Sequence, residues 1–206
     1  MTKPAIRLWH CTAARSMRCV WMLEEMGLPY ELTVLPFPPR VFQKDYLAIN
    51  PLGTIPYMID GNVRMTESSA ICHYLGETYG PTPLVLKPGD ADYGRYLNFM
   101  FMSDATLTFP QTLVLRYTQL EPPERRVPQV AEDYAKWFHG RLRAIDAALA
   151  EGEYLCAGRF TAADITVGYA LHLATTLKLD AKFSPAISAY YQRLAARPAF
   201  QRALAR

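Results

Sequence analysis

Over the first third of the chain, apolar residues come in short alternating bursts. Over the remainder they recur at helical spacing. Residues 5–11 (Ala-Ile-Arg-Leu-Trp-His-Cys) predict a strand, and residues 30–35 alternate into a second. Between them, residues 16–26 place Met17, Val20 and Trp21 on one helical face, with Gly27 as a stop signal. The cluster Pro36 to Pro39 ends the second strand, and residues 41–49 suit a short irregular helix. Residues 57–65 read as two short strands joined at Asp60-Gly61. A helix is expected from about 68 to 79, giving the order β-α-β-α-β-β-α.

The pattern then changes. Gly80-Pro81-Thr82-Pro83 and Lys87-Pro88-Gly89-Asp90 bracket a stretch that does not suit a helix. We expect one domain over 1–81, a linker over 82–90, and an all-helical domain over 91–206. One long helix is predicted over 91–120, kinked at Pro110, and a second over 129–150. Thr161 and Asp164 have the spacing of a capping box, with Asp in place of Glu. Residues 165–177 after it are apolar almost all round, as in a helix at the centre of a bundle. Two further helices, near 184–195 and 199–204, complete the pattern.

Composition narrows the classes. The chain has 206 residues, half of them hydrophobic, enough to bury a sizeable core in one or two domains. Its formal net charge is +3 with the basic residues scattered, which argues against a nucleic-acid stripe. No apolar run approaches the ~20 residues needed to span a bilayer. No signal-peptide core follows Met1, so a cytoplasmic protein is expected. Cys11, Cys19, Cys72 and Cys156 match no zinc spacing and no redox pair, so no metal is expected. Cys11, at the end of the first strand, is a candidate reactive thiol, although Ala14 leaves it no resolving partner in that turn.

Two motifs carry chemistry. Asn50-Pro51-Leu52-Gly53-Thr54-Ile55-Pro56 reads as a turn running into an extended Ile-Pro step, whose backbone N–H and C=O suit an extended peptide ligand. Glu67-Ser68-Ser69-Ala70-Ile71 reads as a helix start, where N–H groups and the positive dipole end suit a carboxylate. Together they resemble the glutathione-binding half of the glutathione S-transferase superfamily. The run Arg15-Ser16-Met17-Arg18 through Leu32 is similar to the first helix of bacterial and fungal members. The resemblance covers essentially the whole chain. It implies an α/β thioredoxin-like N-terminal domain followed by an all-α helical bundle.

It also implies a site. Ile55-Pro56 would be cis and pair with the cysteinyl part of glutathione, while Glu67 and Ser68 would hold the γ-glutamyl carboxylate. A hydroxyl or thiol near the first helix would stabilise the glutathione thiolate, the nucleophilic form. The candidates are His10, Cys11, Thr12 and Ser16, with Ser16 first and Thr12 second. The theta-type serine would fall on Ala14, no tyrosine lies in the loop, and the zeta-type Ser-Ser-Cys signature is missing. Arg15, Arg40 and Lys44 are the cations available to the glycine carboxylate. Phe37, Phe99, Met102, Phe109 and Tyr117 would line a pocket for a hydrophobic electrophile. The implied activity is transfer of glutathione to such an electrophile, or reduction of a peroxide or disulfide, by a homodimer. The alternatives are a non-catalytic glutathione-binding protein of the same fold and a glutathione-dependent oxidoreductase using Cys11.

Overall fold

The computed structural model describes residues 6–206; Ala5 of the predicted first strand lies outside them. The chain packs as two units, one running to Val85 and including Ala196–Arg206, the other Leu86–Ala195.

The first unit is built on four strands: β1 (Ile6–His10), β2 (Tyr30–Val34), β3 (Tyr57–Asp60) and β4 (Val63–Met65). Their order in the sheet is β2-β1-β3-β4. Strands β1 and β2 run parallel, His10 opposite Val34, while β3 is antiparallel to β1 with Tyr57 opposite Trp9. Helix α1 (Met17–Met26) makes the crossover between β1 and β2 and ends on Gly27 in the left-handed region. The irregular stretch expected at 41–49 is a single turn, α2 (Pro39–Phe42), followed by a 3₁₀ turn, Lys44–Ala48. Helix α3 (Ser68–Tyr79) follows the β3–β4 hairpin. This is the βαβαββα order read from the sequence. The segment 82–90 forms no regular element, yet Leu84, Val85 and Leu86 are buried.

The second unit is helical. The predicted run over 91–120 is α4 (Tyr93–Met102), a π-helical stretch (Ser103–Thr108), α5 (Phe109–Leu115) and a second π stretch (Arg116–Leu120). Pro110 has no N–H to give the preceding turn. The widened turn before it absorbs that loss, and Thr108 Oγ1 donates to the Ser103 carbonyl at 2.6 Å. The predicted helix over 129–150 is interrupted at Leu142, between α6 (Pro128–Arg141) and α7 (Arg143–Leu149).

Helix α8 (Ala162–Thr176) is the buried centre, and its capping box is formed as predicted. The fully buried Asp164 accepts from the Thr161 N–H at 2.8 Å, the Leu155 N–H at 3.1 Å and the Tyr190 hydroxyl at 2.7 Å. Helix α9 (Pro185–Ala195) closes this unit. Helix α10 (Pro198–Leu204) belongs to the first unit, where Phe200 stands edge-on to Trp21 at 4.9 Å. Among the described residues, no helix is long and apolar enough to cross a membrane.

Candidate functional site

The topology gathers four segments at one end of the first unit's sheet. The antiparallel β1–β3 pair puts the loop after His10 beside the entrance of β3, which is Ile55-Pro56. The parallel β1–β2 pair brings the end of β2 alongside, and the Leu35 N–H donates to the His10 carbonyl at 2.8 Å. Helix α1 starts from that same loop, and Arg18 in its first turn reaches the start of α3 through Ser68.

The loop after β1 sorts its candidate groups by exposure. Ser16 is fully buried, its Oγ 2.8 Å from His10 Nδ1, and it accepts the Cys11 N–H at 3.3 Å. It makes no side-chain cap on α1. Burial lowers the His10 pKa to about 4, which keeps the ring neutral at ordinary pH. Cys11 is also fully buried, its Sγ 3.7 Å from the Pro36 carbonyl. Burial pushes its thiol up to about 11, the opposite of what a reactive thiolate needs. Thr12 alone among these four side chains is exposed, and its hydroxyl donates a long bond of 3.4 Å to the Arg206 carbonyl. The next residue, Ala13, has φ +60°. A residue with a Cβ pays roughly 1–2 kcal/mol to sit there, so this bend is held by its surroundings.

The Asn50 turn presents the Ile-Pro step. Asn50 Nδ2 donates to the Thr54 carbonyl at 2.9 Å, and the Tyr46 hydroxyl donates to the same oxygen at 2.8 Å. Gly53 has φ +60°, and a Cβ there would come within 2.7 Å of Arg40 Cβ and 2.9 Å of a Leu47 methyl. Only glycine lets the turn close against α2. The Ile55–Pro56 bond is cis, as the family resemblance implies. None of the described residues hydrogen-bonds the Ile55 backbone N–H or C=O.

Helix α3 begins on an extended Glu67 whose exposed side chain does not cap it. Ser68, the first helical residue, is buried, and Arg18 Nη1 donates to its Oγ at 2.9 Å. Arg18 itself is fully enclosed. Cys19 and Cys72 fasten the same corner, with Cys19 Sγ 3.8 Å from the Ser68 carbonyl and Cys72 Sγ 3.5 Å from the Arg18 carbonyl.

Of the three candidate cations, Arg40 is exposed and lies against the Asn50–Thr54 turn, Lys44 is exposed at the start of the 3₁₀ turn, and Arg15 is half-buried beside Ser16. Phe37 is exposed on the segment after β2. In the second unit Phe99 is buried in the core, and Met102 and Tyr117 are half-buried. Phe109 is exposed with its ring edge-on to Tyr134 at 6.4 Å.

Two features of this site were not read from the sequence. Arg18 interrupts an otherwise apolar run from Met17 to Leu23, and a charged residue on a buried helical face was the available signal. The left-handed bend at Ala13 carried no signal, because neither glycine nor asparagine marks it.

Residues 14–78 match the family model for the glutathione S-transferase N-terminal domain, and residues 128–193 match that for the C-terminal domain. Glutathione S-transferase 3 of Zea mays is 30% identical over 201 residues, covering 92% of this chain and 88% of the maize protein. Glutathione S-transferase 3 of Schizosaccharomyces pombe is 29% identical over 210 residues, covering 94% of this chain and 84% of its own. Among solved structures, the glutathione-bound theta class enzyme of Xanthomonas axonopodis pv. citri superposes with a TM-score of 0.80 at 27% identity, covering 98% of this chain and 97% of that one. The chain belongs to the glutathione S-transferase family.

Proposed function

We propose that the protein is a glutathione transferase that holds glutathione along the Ile55–Pro56 step and the start of α3, lowers the pKa of its thiol, and delivers the thiolate to a hydrophobic electrophile. The observation that carries this reading is the gathering of the β1 loop, the β3 entrance and the α3 start at one end of the sheet. The Ile55 backbone would pair with the cysteinyl residue, and Glu67, Ser68 and the α3 N-terminus would take up the γ-glutamyl end. Arg40, set against the Asn50 turn, is the cation best placed for the glycine carboxylate, with Lys44 and Arg15 in support. Thr12 is the hydroxyl we assign to the sulfur, because it is exposed while Ser16 and Cys11 are enclosed, and its proton would turn from the long bond to the Arg206 carbonyl to reach the ligand. The reading includes an apolar co-substrate and a cytoplasmic homodimer, as in the resemblance.

A hydroxyl donor and nearby amide dipoles lower a thiol pKa by roughly one to two units, each unit worth about 1.4 kcal/mol. The test is glutathione titration of the protein and of Thr12→Val, with the ultraviolet absorbance of the bound thiolate followed across pH. Wild type should bind saturably and ionise the thiol below the pH at which free glutathione ionises. The variant should bind with similar affinity and lose most of that lowering. An unchanged thiolate in Thr12→Val removes Thr12 from the mechanism. Saturable binding with no thiolate in the wild type favours a second reading, a binding protein without turnover, for which Ala14 in the theta-serine position is the supporting observation. Absence of glutathione binding refutes both.

A further inference from the structure

We propose that Arg18 is a positioning residue that turns the Ser68 hydroxyl proton toward the anionic end of the ligand. This rests on the reading that the α3 start holds the γ-glutamyl carboxylate. A guanidinium has five donors and no acceptor. When Arg18 Nη1 donates to Ser68 Oγ at 2.9 Å it takes one of the oxygen's lone pairs. The hydroxyl hydrogen must then point away from Arg18. Without that bond, a serine hydroxyl at a helix start accepts as readily as it donates, and it would take water or an amine as well as a carboxylate. With it, the hydroxyl and the positive end of the α3 dipole favour the same partner, an anion.

The energetic cost of Arg18 also needs an account. Enclosing a guanidinium costs several kcal/mol before its hydrogen bonds offset it, and a well-packed apolar side chain of similar volume is often no less stable. The neighbours of Arg18 on α1, Met17, Cys19, Val20 and Trp21, are buried apolar residues, so a methionine there would suit the packing. A charge retained on that face and bonded to the side chain that opens α3 has, beside its other contacts, a role in what it does to Ser68. The Cys19 and Cys72 contacts hold the two helix starts together and keep that bond in register.

The test is a binding cycle. Glutathione, and the analogue 4-aminobutyryl-cysteinyl-glycine, which lacks the γ-glutamyl α-carboxylate, are titrated into wild type, Arg18→Met, Arg18→Lys, Ser68→Ala and the Arg18→Met/Ser68→Ala double variant, with urea unfolding of each. In Arg18→Met, glutathione affinity should fall roughly 10- to 100-fold and analogue affinity less than about 3-fold, the scale of one charge-assisted bond. Arg18→Lys should recover part of the loss, and Arg18→Met should cost little more once Ser68 is alanine. The KM for glutathione should rise while kcat at saturation changes little. Equal losses for the two ligands, or additive losses in the double variant, overturn the proposal and leave Arg18 a structural residue. Should Arg18→Met fail to fold, Arg18→Lys decides the matter by the same comparison of the two ligands. Failure of wild type to bind glutathione refutes the transferase reading itself, a result distinct from any of these.

Discussion

Ser16→Ala separates a supporting hydroxyl from a catalytic one. The Ser16 Oγ is fully enclosed, 2.8 Å from His10 Nδ1 and 3.3 Å from the Cys11 amide nitrogen whose hydrogen it accepts. Alanine removes these two bonds, and a long 3.5 Å one to the Cys11 carbonyl, and fills none of the gaps. A buried imidazole nitrogen and a buried backbone N–H then lose their partners, at roughly 1–3 kcal/mol each. No cap is lost with them, because Ser16 makes no side-chain bond to the amides of α1. The expected destabilisation is about 2–4 kcal/mol, a large part of a typical domain's stability. The assay is urea unfolding by linear extrapolation, read together with the thiolate pKa of bound glutathione. The urea midpoint should fall with the slope unchanged, and the thiolate pKa of the protein that remains folded should stay within a few tenths of wild type. A stable Ser16→Ala whose bound thiol ionises a unit or more higher would refute the reasoning. It would mean that Ser16 turns outward to meet the ligand.

Three further outcomes follow from the same geometry. His10 is held near pKa 4 when folded against 6.5 unfolded, so between these values the unfolded chain binds the extra proton and stability falls as pH is lowered from about 6.5 to 4. The loss should be on the order of 3 kcal/mol, and His10→Gln should flatten this part of a pH series of urea midpoints. Asp164→Ala strips the Thr161, Leu155 and Tyr190 donors of their acceptor in the middle of the helical unit, and should cost about 3 kcal/mol or more in a melting or urea experiment. Cys11, enclosed and with its thiol near pKa 11, should alkylate far more slowly at pH 7.5 than free glutathione; rapid labelling confined to Cys11 would revive the oxidoreductase alternative.

What was legible in the sequence was mostly local. The β3–β4 hairpin followed from Asp60-Gly61, and the start of α8 from Thr161 and Asp164, because turn and cap chemistry lies within a few residues. The Gly53 turn and the Glu67-Ser68 start could be placed for the same reason. Exposure could not. Thr12 and Ser16 are both small hydroxyl residues in one loop, and the fold alone decides that one faces solvent and the other His10. The π-helical stretch before Pro110 was equally hidden, since a proline in a helical pattern is compatible with a kink or with a widened turn.

The last helix shows the same limit at longer range. By pattern, residues 199–204 continue the helical half of the chain, yet Ala196–Arg206 packs with the sheet-containing unit. The reason lies on α1, whose apolar face ends in a pair of acids. Glu25 receives Arg197 in a two-pronged pair, Nε at 2.6 Å and Nη2 at 2.8 Å, and also accepts from the Trp21 indole at 2.9 Å. Glu24 receives Arg202 at 2.6 Å and Arg206 at 3.2 Å, and its carboxyl is held below the usual range by those arginine bonds and the Tyr30 hydroxyl against the opposing effect of burial. Ion pairs this exposed add little stability singly, so Phe200 against Trp21 supplies the burial and the charges set the register. Each partner is more than 170 residues from the other in sequence. The docking also brings the Arg206 carbonyl within 3.4 Å of the Thr12 hydroxyl, so the far end of the chain borders the loop that carries the hydroxyl assigned to the sulfur.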